Sequence, residues 1–166
     1  MIKPIKVFCV FLTVAAYFIL AACAVYVIAS WSNIPDTVGM HFAADGSFDL
    51  YRSKNVAFYH PFTADALLLI LIEIFGLLTM RLKPGIKTTE RGAAIIKAAI
   101  LIFLNAVKLS ISAFFAHWID CVVRQRQLNT SFAVAIVYIF AVGLIAVVII
   151  GVAVRVKHSM KEGRTV

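Results

Sequence analysis

Charged side chains are scarce in this chain: 14% of its 166 residues, against 63% hydrophobic, with a mean hydropathy of +0.97. Soluble domains carry about 25% charge and about 45–50% apolar residues. A chain this small has too much surface to hide the difference. The shortage excludes an ordinary soluble domain and leaves an integral membrane protein. Cys9, Cys23 and Cys121 form no spacing motif, which removes support for a zinc site or a disulfide framework. A nucleophile–base constellation and a phosphate-cradling glycine loop are both missing, so neither an enzyme nor a cofactor is expected. The net charge of +8 comes from basic residues that flank apolar runs instead of forming a stripe. That pattern points to topology and lipid headgroups and away from nucleic acid.

What is present is four apolar runs, at about 7–30, 63–80, 93–116 and 132–154. Each approaches or exceeds the ~20 residues a helix needs to cross about 30 Å of hydrocarbon. Helix is the expected form, because four short strands cannot close a barrel and satisfy their own edges. The expectation is a single domain over 1–166, an all-α four-helix membrane bundle. Lys3, Lys6, Arg81, Lys83, Lys87, Arg91, Arg155, Lys157, Lys161 and Arg164 fall on one side, and only Arg52, Lys54, Arg124 and Arg126 on the other. The positive-inside rule puts both termini in the cytoplasm, as in a multi-pass protein of a bacterial inner membrane. Trp31, Tyr51, Phe58, Tyr59 and Trp118 fall near the outer ends, where aromatic belts sit. Leu20-Ala21-Ala22-Cys23 imitates a lipoprotein signal with Cys23 as the lipidated residue, but Ala24–Ala29 continues the oil, which favours an uncleaved first span.

Residues 31–62 form the one elaborate polar stretch. A connection of about thirty residues far exceeds the usual 2–6 or so and tends to be functional when ordered. Asp45-Gly46 is a tight-turn dipeptide, so a β-hairpin with its turn near 44–47 is expected, facing outward. In such a hairpin His41 and Asp49 approach across the strands, with Asp45 at the tip and Arg52 and Lys54 nearby. His41, Asp45 and Asp49 are competent ligands for a divalent cation. A His–carboxylate pair and a purely structural turn capped by Asp36 and Asp45 are the other readings.

The run Ile-Pro-Asp-Thr-Val-x-x-His-Phe-x-x-x-Gly-x-x-Asp-x-x-x-Ser-Lys, from Ile34 to Lys54, resembles the signature of a bacterial membrane-protein family. That family is the domain of unknown function 1648, found in SdpI-type toxin-immunity proteins. Pro35, Asp36, His41, Gly46, Asp49, Ser53 and Lys54 match its pattern, over the first span, the loop and the second span. SdpI-type proteins carry a further membrane region that this chain lacks. The resemblance implies recognition through the outer loop, in immunity or signalling, with a peptide toxin or a partner membrane protein as the expected partner.

Polar groups also interrupt the runs. Glu73 lies near the centre of the second span, and Asn105 and Lys108 lie in the third. Those spans are consecutive and antiparallel, so Glu73 and Lys108 differ in depth by roughly 6–7 Å at a rise of 1.5 Å per residue. An unpaired charge there costs ~2.5–3.5 kcal/mol on insertion scales. A Glu73–Lys108 pair is therefore expected. A transporter or channel subunit using this polar path, or an accessory subunit of a membrane complex, is the alternative function. Asp65 reads as an interruption near the start of the second span. Lys97 lies near the inner end and snorkels outward. Thr88, Thr89 and Glu90 read as a cap before the third span, after a break at Pro84-Gly85. Gly143 and Gly151, eight apart on the fourth span, permit close helix approach and a homo-oligomer.

Overall fold

The computed structural model describes residues 3–81 and 88–162. Helix α1 spans Lys3–Ser30 and ends in a single 3-10 turn, Trp31–Asn33. Strands β1 (Thr37–Phe42) and β2 (Phe48–Ser53) follow, then α2 (Lys54–Arg81), α3 (Glu90–Val123) and α4 (Thr130–Glu162). All four helices are long and apolar enough to cross a membrane. Val137, Tyr138, Val142 and Val152 on α4 are more than half exposed. So much exposed oil is tolerable when the surrounding medium is lipid.

The helices do not form a ring. α3 is the central member, against which α1, α2 and α4 each pack, while α1 and α2 scarcely touch. The bonded pairs between α1 and α3 are separated by 92, 94 and 95 residues, a near-constant offset that parallel neighbours must have. α2 runs antiparallel to α3, so each rung up one helix meets a rung down the other. Both described termini thus lie at one end of the bundle and the hairpin at the other.

Several expectations shift here. Residues 31–62 are not one loop, because 54–62 already belong to α2. Lys54, Asn55, His60 and Pro61 depress the local hydropathy and hide the helix. Pro61 sits inside it, depriving the Ala57 carbonyl of its helical donor. The tail after Val154 continues as helix to Glu162. Pro84-Gly85 lies outside the described residues. Thr89 is the N-cap of α3, its Oγ1 accepting from Gly92 N–H at 3.1 Å. Gly143 receives the Phe103 ring within the chain: a Cβ there would lie 2.6 Å from it. Gly151 is buried.

The hairpin closes one end of the bundle. Its strands pair antiparallel from Thr37↔Ser53 to Phe42↔Phe48, with irregularities on either side of His41. Val38 and Phe42 turn inward onto a core shared with Val27, Ile34, Phe58 and Ile119. Phe58 therefore belongs to packing and not to a lipid-facing aromatic belt; Trp118 is half-buried against the same core, and Tyr51 and Tyr59 stay exposed. Trp118 meets Phe42 edge-to-face at 5.3 Å. Gly39 leaves room for Phe48, whose ring would lie 2.2 Å from a Cβ.

At the tip, Gly46 has φ +86° and a Cβ there would lie 2.3 Å from the Leu128 carbonyl oxygen. Its own carbonyl accepts from Leu128 N–H at 2.9 Å, tying the turn to the α3–α4 connection. Gly46→Ala should therefore undock the tip, since the left-handed conformation alone costs roughly 1–2 kcal/mol for an L-residue. Hairpin amides should exchange about tenfold faster or more, while circular dichroism reports unchanged helix. Unaltered hairpin exchange would contradict this docking.

Candidate functional site

Two polar regions stand out, one at the hairpin and one inside the bundle. The hairpin is fastened at base, middle and tip. At the base, Lys54 N–H donates to the Asp36 carbonyl at 2.9 Å. Lys54 Nζ lies 3.1 Å from Asp36 Oδ1 and 3.3 Å from the Ile34 carbonyl oxygen. The same ammonium sits 5.2 Å from the Trp31 ring centroid, within cation–π range. Pro35 leads into this clasp, and Ser53 pairs with Thr37 just before it.

The middle is held by Gln125, which sequence reasoning did not single out. α3 ends with Arg126 N–H donating to the Cys121 carbonyl and Gln125 N–H to the Val122 carbonyl, the double bond of a Schellman ending. That ending requires a left-handed residue, and Gln125 supplies it at φ 49° where glycine is usual. Its side chain accounts for the choice. Oε1 accepts from Gly39 N–H of β1 at 3.1 Å, and Nε2 donates to the Val122 carbonyl at 2.6 Å. One residue thus ends a helix and holds a strand. Nearby, Asp120 joins α1 to the same end, accepting from Tyr26 OH at 3.2 Å, from Arg124 Nε at 2.8 Å and from Arg126.

The exposed side of the hairpin carries His41, whose Nδ1 lies 2.6 Å from Asp49 Oδ1. Asp45 does not join them. Its carboxylate accepts from the Ser47 hydroxyl at 2.7 Å and the Ser47 N–H at 2.9 Å. Those bonds, the hydroxyl first, hold the Asp45 carboxyl below its ordinary range. The turn therefore keeps them above the usual aspartate pKa and loses them as pH falls through the lowered value. The reading of His41, Asp45 and Asp49 as a cation site is corrected: among the described residues no three His, Cys, Asp or Glu side chains converge as ligands. Beside His41 a cavity of about 300 Å³ opens between β1 and the ends of α2 and α3, lined by Met40, His41, His60, Pro61, Phe115 and Trp118. Trp118 Nε1 is buried without a hydrogen-bond partner.

Inside the bundle, Lys108 is 2% exposed, and its Nζ donates to Glu73 Oε1 and to Thr13 Oγ1, the latter at 2.7 Å. Thr13 in turn donates to Asn105 Oδ1 at 2.6 Å, and Asn105 Nδ2 donates to the Leu101 carbonyl at 2.8 Å. One continuous chain of donors and acceptors thus links α1, α2 and α3. Sequence reasoning named Glu73, Asn105 and Lys108 but missed Thr13, a lone hydroxyl midway along an apolar run. It also read Asp65 as an interruption. Asp65 is 2% exposed and accepts from Ser112 Oγ at 3.3 Å, one helical turn beyond Lys108. Lys97 does not snorkel freely; it donates to the Met80 carbonyl at 2.8 Å, at the negative end of the α2 dipole. Because α1 and α2 diverge, a cleft of about 360 Å³ lies between them, with Thr13, Glu73, Asn105 and Lys108 in its lining.

Comparison of the chain with protein-family models, with curated proteins and with solved structures finds no match.

The internal chain makes a direct prediction. Glu73→Gln leaves a buried ammonium without its counter-charge, at a cost near ~2.5–3.5 kcal/mol on insertion scales. Titration of the purified protein from mild detergent into dodecyl sulfate should show that loss. The double exchange Glu73→Lys with Lys108→Glu should recover a substantial part of the stability lost by either exchange alone. No recovery would count against pairing.

Proposed function

We propose that this protein is a small multi-pass protein of the cell membrane that recognises a peptide or partner protein at its outer face. Both termini face the cytoplasm, as the lysine and arginine distribution favours. The observation that carries the reading is the way the hairpin is held. One side is packed onto the ends of α2 and α3, and backbone or side-chain bonds fasten it at base, middle and tip. A segment pinned in this way presents its free side without paying an ordering cost on binding. Tyr51 on β2 and Tyr59 on α2 are both exposed, rigid amphipathic rings of the kind enriched at recognition surfaces, and Arg52 and the His41–Asp49 pair are exposed as well.

The cavity below them suits one large apolar side chain. Met40, Pro61, Phe115 and Trp118 supply apolar walls, and His41 and His60 complete the lining. The resemblance of Ile34–Lys54 to the SdpI-type signature agrees with recognition in immunity or signalling. In that role the lipid-facing helices act as anchor.

A second reading rests on Glu73, whose side chain is 39% exposed in the α1–α2 cleft. A carboxylate open to a cleft inside the membrane suits the polar path of a transporter or channel subunit, or of an accessory subunit in a complex. Lys108 already satisfies that carboxylate, which favours a structural role.

Photo-crosslinking in the membrane of origin separates the readings. A photoreactive phenylalanine at Tyr59 should give a discrete adduct that disappears when Ala64→Trp, at a position that also lines the neighbouring cavity, fills it. The same probe at Val137, on the lipid face of α4, should give none. In a cysteine-free background, Ser47→Cys should react with a membrane-impermeant maleimide on intact cells. Labelling only after lysis would overturn the orientation, and equal adducts at Tyr59 and Val137 would overturn recognition.

A further inference from the structure

Helices α3 and α4 approach closely at glycines near the termini end and midway along their interface. At the termini end, Gly92 lets Val154 approach so closely that a Cβ would lie 2.7 Å from Val154 Cγ1. Farther along, Gly143 receives the Phe103 ring. Alongside these contacts runs a furrow made of two adjoining cavities, about 630 Å³, which also touches Ile5 of α1, and about 540 Å³, which passes Phe103 and Gly143. Ala99, Ile102 and Ile150 line both, so the furrow is continuous. Its walls are almost wholly aliphatic and aromatic.

The furrow has a polar mouth. Arg91 and Ile95 line the 630 Å³ cavity and also a further cavity of about 220 Å³ at the termini end, together with Thr88, Thr89 and Lys157. Among the described residues neither Arg91 nor Lys157 has an anionic partner. The neighbouring carboxylate, Glu90, is not in the lining. Two cations, two threonines and His158 therefore face a small space that adjoins an apolar one. The length also fits. From Ile95 to Val107 the furrow runs about 18 Å at 1.5 Å per residue, close to the roughly 15 Å depth of one leaflet of a 30 Å hydrocarbon core.

We propose that this furrow is a binding site for one anionic glycerophospholipid, its phosphodiester held by Arg91 and Lys157 and one acyl chain lying between α3 and α4. Charge complementarity selects the headgroup: a net-negative phosphodiester neutralises the mouth, whereas a zwitterionic head brings its own cation against Arg91. The apolar continuation selects a lipid over free phosphate, because phosphate leaves the furrow walls unoccupied. α4, packed on α3 alone, gains a second attachment from the bound chain. The inference stands apart from the reading of the hairpin and uses no residue of it.

Native mass spectrometry of protein released from nanodiscs tests it, with phosphatidylglycerol and phosphatidylcholine of identical chains as probes. Phosphatidylglycerol should be retained in preference by about thirty-fold, given the contribution of each basic residue at an anionic surface. The pair Arg91→Gln with Lys157→Gln should abolish the preference. Arg91→Lys with Lys157→Arg should keep most of it and serves as the folded control. Ala99→Trp, which fills the furrow, should lower retention of phosphatidylglycerol, and inorganic phosphate should not displace it. Equal retention of the two lipids by the unaltered protein would overturn the site. Displacement by phosphate alone would overturn the lipid in favour of a simple anion site.

Discussion

A polar side chain in hydrocarbon must find its partner within the protein, and the arrangement of this bundle follows from that requirement. Lys108, Asn105 and Ser112 lie along one side of α3, and each is answered from another helix or from α3's own backbone. Thr13 answers from α1, Glu73 and Asp65 from α2. Apolar side chains alone would not choose between these helices and lipid, since lipid tails are equally oily. The polar side of α3 makes the choice. It draws α1 and α2 to the same central helix and leaves them apart from each other. α4, without a charge along most of its length, packs through glycine and Phe103 instead.

The hairpin depends on this frame. With α1 and α2 both docked on α3, their ends hold Val27, Phe58 and Ile119 close enough to receive Val38 and Phe42. The α3–α4 connection then supplies Leu128 for the tip, and the end of α3 supplies Gln125 for the middle. Gln125 illustrates the local cost: a non-glycine residue in the left-handed region is strained, and two side-chain amide bonds offset that strain. A segment rich in polar backbone becomes a fixed cap because the helix ends beneath it are themselves fixed.

Much of this was legible in the residues. Long apolar runs mark four spans, Asp45-Gly46 marks the turn, and Glu73 and Lys108 at similar depth in antiparallel helices mark each other. The start of α2 was not legible, because Pro61 and His60 look like loop while tertiary packing keeps them helical. Asp65 and Thr13 were missed because each was judged against its own span. Taken with Ser112 and Asn105 at matching levels of α3, both become partners. Gln125 gave no local signal, since its conformation is set by a strand distant in sequence. Phe58 looks like a belt residue because nothing in its neighbourhood announces that a hairpin will pack against it.

The account rests on Lys108 being held by Glu73 and Thr13 within the bundle. Solid-state nuclear magnetic resonance in lipid bilayers reads this directly, through space from Lys108 Nζ to the Glu73 carboxyl carbon. A strong short-range cross-peak, with Nζ protons protected from exchange with bulk water, is the predicted result. A Lys108 Nζ that exchanges freely with water and shows no correlation to Glu73 would contradict it.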